Sequence, residues 1–334
     1  MSSVSVIIPA YNAAGVIDSA LASIAGQTRP PDEVVVIDDG STDATAEVVS
    51  SWSDRLPIEL LVLPENIGSG LGAGGARARA IEAASGTTLA LLDADDVWLP
   101  DHLEVMLAEH ERHGGLITGN YVLWIPGRTV GTVPAADLVP VPPADRQRLA
   151  ILSENFVFVS SVFSRELYDT AGPFRNIRCE DWDLWIRMVR AGAEVTIPRQ
   201  VTALYRQDPS SVSGTDKLLI GDIDLLTELL PTCTDEERPV VERALQRRRA
   251  KQLYLEGIRR ADEGDTSGAR RAWIDSLGTD HSLRGNRSKL NGRVSLRAAS
   301  CILAPRTMTR LRHRRQADAD LVVGNRNITM GRSR

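Results

Sequence analysis

Val34-Val35-Val36-Ile37-Asp38-Asp39-Gly40-Ser41-Thr42-Asp43 reads as a buried β-strand that stops abruptly at a pair of acids. Four β-branched residues in a row favour an interior strand, and Thr42 or Asp43 can cap the helix that follows through Val49. Upstream, Val4–Ile8 is another apolar run, bounded by Pro9, and Ile17, Leu21 and Ile24 then recur at helical spacing as far as Gly26. Downstream, Ile58–Leu63 reads as a third strand, Ala73–Ala84 as a third helix and Thr88–Leu92 as a fourth strand. Strand–helix alternation of this kind builds an α/β layer with a mostly parallel sheet and helices on both faces. Ligands in such sheets gather at the carboxyl ends of the strands. Asn12, Asp38, Asp39, Asp93 and Asp95 all fall there.

Between Leu116 and about Tyr205 the pattern is mixed. Thr118–Trp124, Phe156–Phe163, Val195–Pro198 and Thr202–Tyr205 are strand-like, a helix begins near Glu180, and Pro134–Pro143 reads as a loop. Beyond Thr215 the signal is helical. Leu218, Leu219, Ile223, Leu226 and Leu230 mark one helix, and Glu236–Glu263 and Thr266–Leu277 form a hairpin like one tetratricopeptide unit, a single unit being too little for a repeat array. The expected organisation is a domain over 1–215, with halves 1–100 and 101–215, a helical appendage over 216–280 and a tail over 281–334.

With 43% hydrophobic and 25% charged residues in 334, the chain has the balance of a globular protein, not of a disordered one. No run of 18 apolar residues offers a transmembrane helix, and the N-terminus runs into a strand without a basic leader. Cys179, Cys233 and Cys301 have neither disulfide-framework nor zinc spacing. The expectation is a reduced protein of the cytoplasm. The net charge of −5 hides an asymmetry: from His281 onward there are 13 Lys+Arg against 2 Asp+Glu. The acidic body argues against nucleic acid as a partner. The basic tail is either a solvated segment or a contact for an anionic membrane, at the inner face of the cell membrane.

Leu91-Leu92-Asp93-Ala94-Asp95-Asp96-Val97-Trp98-Leu99-Pro100 carries the strongest chemical signal. Three carboxylates at the mouth of an apolar strand are costly unless a cation compensates them. Oxygen ligands without His or Cys suit Mg²⁺ or Mn²⁺ shared with a phosphate; the alternative is a turn and helix cap before Pro100-Asp101. The Asp38-Asp39 pair could accept hydrogen bonds from a base or ribose, though an Asx turn with an N-cap explains it equally well. In Cys179-Glu180-Asp181-Trp182-Asp183-Leu184-Trp185, acids at a helix start can simply complement the dipole. Yet tryptophans beside an acid, in a chain with 4% aromatics, also suit a sugar ring, which puts Glu180 and Trp182 on the sugar side. Gly70-Leu71-Gly72-Ala73-Gly74-Gly75 matches a dinucleotide fingerprint, but Pro64–Ser69 separate it from its strand and two strand–helix units precede it.

Taken in order, these pieces resemble the family 2 glycosyltransferases with their nucleotide-binding GT-A fold. The resemblance covers roughly Ser3 to Ser213 and rests on Val6–Asn12, Val36–Asp43, Ala76-Arg77, Leu92–Asp96, Glu180-Asp181 and Tyr205-Arg206. It implies an inverting, metal-dependent transfer from a nucleotide-diphospho-sugar to a hydroxyl of a glycan or lipid-linked acceptor. Pro9, Ala10, Tyr11, Asp38 and Asp39 would hold the base and ribose, and Arg77 the nucleotide end. Asp93 and Asp95 would form the DxD motif that binds metal and diphosphate, and Asp181 would be the catalytic base. The chain departs from the family's pattern at Ala78 and Ala80, which replace Asn and Gly, in the longer Gly68–Gly75 loop, and at Gln207-Asp208, where many members carry His. A sugar-nucleotide pyrophosphorylase would place a glycine-rich basic loop straight after the first strand, where Pro9–Asn12 stand. A binding module without turnover is the other alternative.

Overall fold

The computed structural model describes residues 3–127, 129–207 and 216–279. In chain order the first half runs β1 Val4–Ala10, α1 Ile17–Ala25, β2 Glu33–Asp38, α2 Thr45–Ser50, β3 Ile58–Val62, α3 Gly74–Ala83 and β4 Thr88–Leu91. There follow β5 Val97–Trp98, α4 His102–His113, β6 Leu116–Thr118, β7 Tyr121–Ile125, β8 Thr129–Val130, α5 Ala135–Leu138, α6 Ala144–Ala150, β9 Ser161–Ser164 and α7 Arg165–Ala171. The remainder is α8 Glu180–Arg190, β10 Val195–Thr196, β11 Ala203–Arg206, α9 Asp216–Leu229, α10 Arg238–Asp262 and α11 Thr266–Thr279.

Seven strands form the main sheet in the order β10-β6-β9-β4-β1-β2-β3. β1 pairs in parallel with both β2 and β4, so the strand order reverses across β1 and leaves a crevice at its carboxyl end. β9 runs antiparallel between β4 and β6. A second, smaller sheet, β5-β11-β7-β8, holds Arg206 in register with Trp124.

Alternation explains the layers. Val4, Val6 and Ile8 join Val34 and Val36 in a core with Ile17, Leu21 and Ile24 of α1 and Leu103, Met106 and Leu107 of α4. The intervening Ile7 and Val35 are fully buried on the opposite side, where α3 lies along β1 and β2. β1 is buried over all seven residues; its one polar side chain, Ser5 near the amino end, accepts from the Gly86 N–H at 2.8 Å, and the remaining polar groups stand beyond its carboxyl end.

The structure departs from the sequence reading at three places. Thr118–Trp124 is not one strand: β6 ends at Thr118 in the main sheet, and β7, from Tyr121, belongs to the smaller one. The run Phe156–Phe163 is strand only from Ser161 to Ser164; its first half is irregular because Phe156, Val157, Phe158 and Val159 line a cleft instead of pairing. Pro134–Pro143 contains the short helix α5.

The chain divides into two compact units, Met1–Val241 and a second from Glu242 onward. In the first, α9 lies against the residues before α8: a Cβ on Gly221 would come within 2.8 Å of the Cys179 Sγ. In the second, Trp273 of α11 is 1% exposed, and its indole N–H donates to the Tyr254 carbonyl at 3.2 Å. Among the described residues no helix is long and apolar enough to cross a membrane. The basic tail, 281–334, lies outside the described residues.

Candidate functional site

The carboxyl ends of β1, β2 and β4 converge, and loop residues bind them to one another. The Asn12 amide N–H donates to the Ser41 Oγ at 2.8 Å, and the Asn12 Oδ1 accepts from the Thr42 N–H at 2.8 Å. Asp38 is buried and accepts from the Ser41 N–H at 2.9 Å, a side-chain bond to the backbone three residues on that closes β2. Asp39 accepts from the Ile67 and Gly68 amides at 2.8 and 3.0 Å, so its carboxylate anchors the glycine-rich loop. Beside it, Pro9, Ala10, the half-exposed Tyr11, Asp39, Asn66 and Ala76 line a cavity of about 220 Å³.

Gly72 and Ala73 line both that cavity and a larger cleft of about 670 Å³. The cleft holds Arg77, Asp93, Asp95, Glu180 and Asp181 together. Arg77, 4% exposed, bridges the two acidic motifs: its Nη2 lies 2.5 Å from Asp93 Oδ1 and its Nη1 2.6 Å from Glu180 Oε1. Glu180 also accepts from the Ala73 N–H at 3.1 Å. The glycines make this approach possible. A Cβ on Gly72 would stand 2.5 Å from Glu180 Oε2, and one on Gly74 would stand 2.2 Å from the Arg175 carbonyl oxygen.

Asp93, Asp95 and Asp96 each offer a carboxylate oxygen, all within 4.8 Å of one another. Asp95 stands exposed at the cleft, but partial desolvation there and the charge of the neighbouring Asp93 push its carboxyl up to about 6. Asp96 too is held well above the usual carboxylate range, by burial and by both other acids. Its Oδ1 accepts from the Arg206 N–H at 2.9 Å, while its buried Oδ2 has no hydrogen-bond partner. An orphaned buried carboxylate oxygen beside two more carboxylates is a fit for a hard divalent cation.

Across the cleft, Cys179 takes a left-handed backbone (φ 57°) that turns the chain into α8, so that Glu180 and Asp181 open the helix at the cleft wall. Burial pushes the Cys179 thiol up, with Asp222 adding to the effect, so it stays protonated. Burial, then the charge of Glu180, push Asp181 up to about 6. Its Oδ2 accepts from the Asn155 Nδ2 at 3.1 Å.

The structure thus brings Asp181, Glu180, Arg77, Asp93 and Asp95 into one cleft, and Pro9, Ala10, Tyr11 and Asp39 into the adjoining cavity. It places Trp182 elsewhere. The ring is 2% exposed and its N–H donates to the Ile151 carbonyl at 2.7 Å, so it offers a sugar no face. Trp98 is equally buried, stacked on His102 with 4.2 Å between centroids. The aromatic rings that do line the cleft are Tyr121, Phe156, Phe158 and Tyr205. Sequence reading missed Asn155 and the orphaned oxygen of Asp96.

Fold and site together define an α/β protein with a nucleotide-type crevice and an acidic, metal-competent cleft. Residues 5–169 match the family model for glycosyl transferase family 2. The amylovoran biosynthesis glycosyltransferase AmsB of Erwinia amylovora is 33% identical over 212 residues, 61% of this chain and 69% of that one. The chain therefore belongs to glycosyl transferase family 2. It spans only 23–49% of the length of five other curated relatives, which it matches at 33–42% identity. Among solved structures, TarS 1–349 of S. aureus in complex with UDP-GlcNAc aligns with a TM-score of 0.62 at 20% identity, over 93% of this chain and 92% of that one. The mannosyltransferase PcManGT of Pyrobaculum calidifontis, in complex with GDP-Man and Mn²⁺, aligns with a TM-score of 0.58 at 20% identity, over 92% and 83%. These likenesses show the GT-A fold.

Proposed function

We propose that this protein is an inverting, divalent-metal-dependent glycosyltransferase. It moves a sugar from a nucleotide-diphospho-sugar to an acceptor hydroxyl in the synthesis of a polysaccharide or other cell-envelope glycan. One observation carries the reading: a single cleft holds Asp93 and Asp95 together with Asp181, and Arg77 ties Asp93 to Glu180. The nucleotide is assigned to the cavity beside Tyr11 and Asp39, at the point where the strand order reverses. The nucleotide sugars bound by TarS and PcManGT support the donor class, and the Mn²⁺ of PcManGT supports the metal.

Asp93, Asp95 and Asp96 would hold the Mn²⁺ or Mg²⁺, and an ion bound there supplies positive charge to the departing diphosphate. Asp181 accepts the proton of the acceptor hydroxyl on a carboxylate oxygen. The hydroxyl oxygen attacks the anomeric carbon from the face opposite the diphosphate; one C–O bond forms as the other breaks, and the configuration inverts. A carboxyl raised to about 6 is ionised at neutral pH yet more basic than a free one, as a general base requires. Arg77 keeps Asp93 and Glu180 in fixed relation, so the metal end and the base end move together. The proposed place of action is the cytoplasmic face of the membrane, with the tail 281–334 as the anionic-lipid contact.

The test is release of nucleoside diphosphate from UDP-GlcNAc or GDP-mannose with Mn²⁺. Turnover should vanish in EDTA and fall by orders of magnitude in Asp95→Asn, with an unchanged circular dichroism spectrum. Full activity in EDTA overturns the metal assignment. Tight binding without turnover makes the protein a binding module.

A further inference from the structure

We infer that Asn155 is a positioning residue that aims the Asp181 carboxylate, an inference that rests on the reading of Asp181 as the base. Asn155 lies in the irregular stretch between α6 and β9 and lines the cleft. Its Nδ2 donates to Asp181 Oδ2 at 3.1 Å, while its Oδ1 accepts from the Val157 N–H at 3.1 Å. The second bond decides which end of the amide faces the carboxylate. A flipped amide would set oxygen against oxygen at Asp181 and N–H against N–H at Val157, losing both bonds. The fold therefore presents a donor to the base, and only a donor.

The same stretch is anchored to α8 at a second point. The Trp182 indole N–H donates to the carbonyl of the fully buried Ile151, four residues before Asn155. Two bonds on neighbouring residues of α8 thus hold the stretch against the helix start, and Asn155 cannot drift from its partner. An ionised carboxylate is an acceptor alone, free to rotate about its last single bond unless something holds an oxygen. With Oδ2 held by Asn155, the remaining lone pairs keep one direction. The charged groups facing Asp181 are Glu180 beside it on α8, Arg77 on α3 and Asp93 after β4, with the neutral thiol of Cys179 two residues before it. Asn155 holds the base without adding charge to that balance.

The experiment compares wild type, Asn155→Ala and Asn155→Leu, with UDP-GlcNAc or GDP-mannose as donor, Mn²⁺ present and water as acceptor. Asn155→Leu keeps close to the native shape, lacks the donor and adds no charge beside Asp181, and thermal midpoints confirm folding. Both variants should lose about 10- to 100-fold in kcat, the weight of one hydrogen bond to an ionised group, with donor KM unchanged. The acidic limb of the rate profile should also move to higher pH, because a bond favouring the ionised base is gone. A kcat close to wild type in Asn155→Ala overturns the inference, as does a loss matched by a rise in donor KM with the limb unmoved. If the wild type releases no nucleoside diphosphate, the transferase reading fails by itself. Crystal structures of wild type and Asn155→Ala then decide: a rotated Asp181 carboxylate in the variant supports positioning, and an unchanged one refutes it.

Discussion

Replacing Arg77 by methionine retains much of the side chain's bulk and removes the guanidinium between the two acidic motifs. That group is 4% exposed and lies 2.5 Å from Asp93 and 2.6 Å from Glu180. Removing one partner of a buried ion pair costs about 3–5 kcal/mol, because the charge left behind has no compensation. Two features place this site at the low end. The Asp93 side chain is 27% exposed, so water takes over part of its solvation, and Glu180 retains the Ala73 amide as a donor. A loss of about 3 kcal/mol lowers the midpoint of a unit of this size by roughly 6–12 °C. The metal supplies an internal check. Without Arg77, a cation on the Asp93–Asp96 cluster is the main positive charge left to Asp93, so Mn²⁺ should raise the variant's Tm more than the wild type's. Thermal melts with and without Mn²⁺ measure both quantities. A variant that melts with the wild type, or that gains no more from Mn²⁺, would refute the claim that Arg77 holds the two motifs together.

Trp182→Phe should destabilise by about 1–3 kcal/mol, since the buried Ile151 carbonyl loses its donor, while donor KM stays put; a large rise in KM would return Trp182 to the sugar side. Activity should fall as pH drops through about 6, because Asp95 must be ionised to bind metal and Asp181 to accept a proton. At limiting Mn²⁺ the logarithmic slope should exceed one, because the raised carboxyls of Asp95, Asp96 and Asp181 must all lose a proton, relaxing toward one as Mn²⁺ saturates and holds the cluster ionised; a flat profile between pH 5 and pH 7, roughly a unit either side, contradicts both assignments. Vesicle co-sedimentation tests the tail: binding to anionic but not neutral vesicles, weakened by salt and lost when residues 284–334 are removed, supports membrane contact. Equal sedimentation of the truncated protein would end that reading.

The layer from β1 to β4 was legible because its signals are local: β-branched runs, helical spacing and acids at strand ends all lie within a few residues. Long-range features were not. The Arg77–Glu180 pair spans 103 residues and the Asn155–Asp181 bond spans 26, and no periodicity marks either partner. Trp182 was misread for a related reason. Composition places an aromatic ring near an acid, but the helical turn decides which way it faces, and here that direction is the core. The apolar stretch Phe156–Val159 misled in the opposite sense, since lining a cleft and filling a sheet leave the same hydrophobic trace. Asp96 was visible in the acid run, yet its special standing comes from one unpartnered oxygen that only packing creates.

The central claim, that Asp181 acts on the transition state and not on donor binding, is tested most directly by Asp181→Asn. Calorimetric titration with UDP-GlcNAc or GDP-mannose and Mn²⁺ should give a Kd close to that of wild type, while nucleoside-diphosphate release is abolished. Weakened donor binding with turnover retained would contradict the account and leave Asp181 as a helix-start acid with no part in the chemistry.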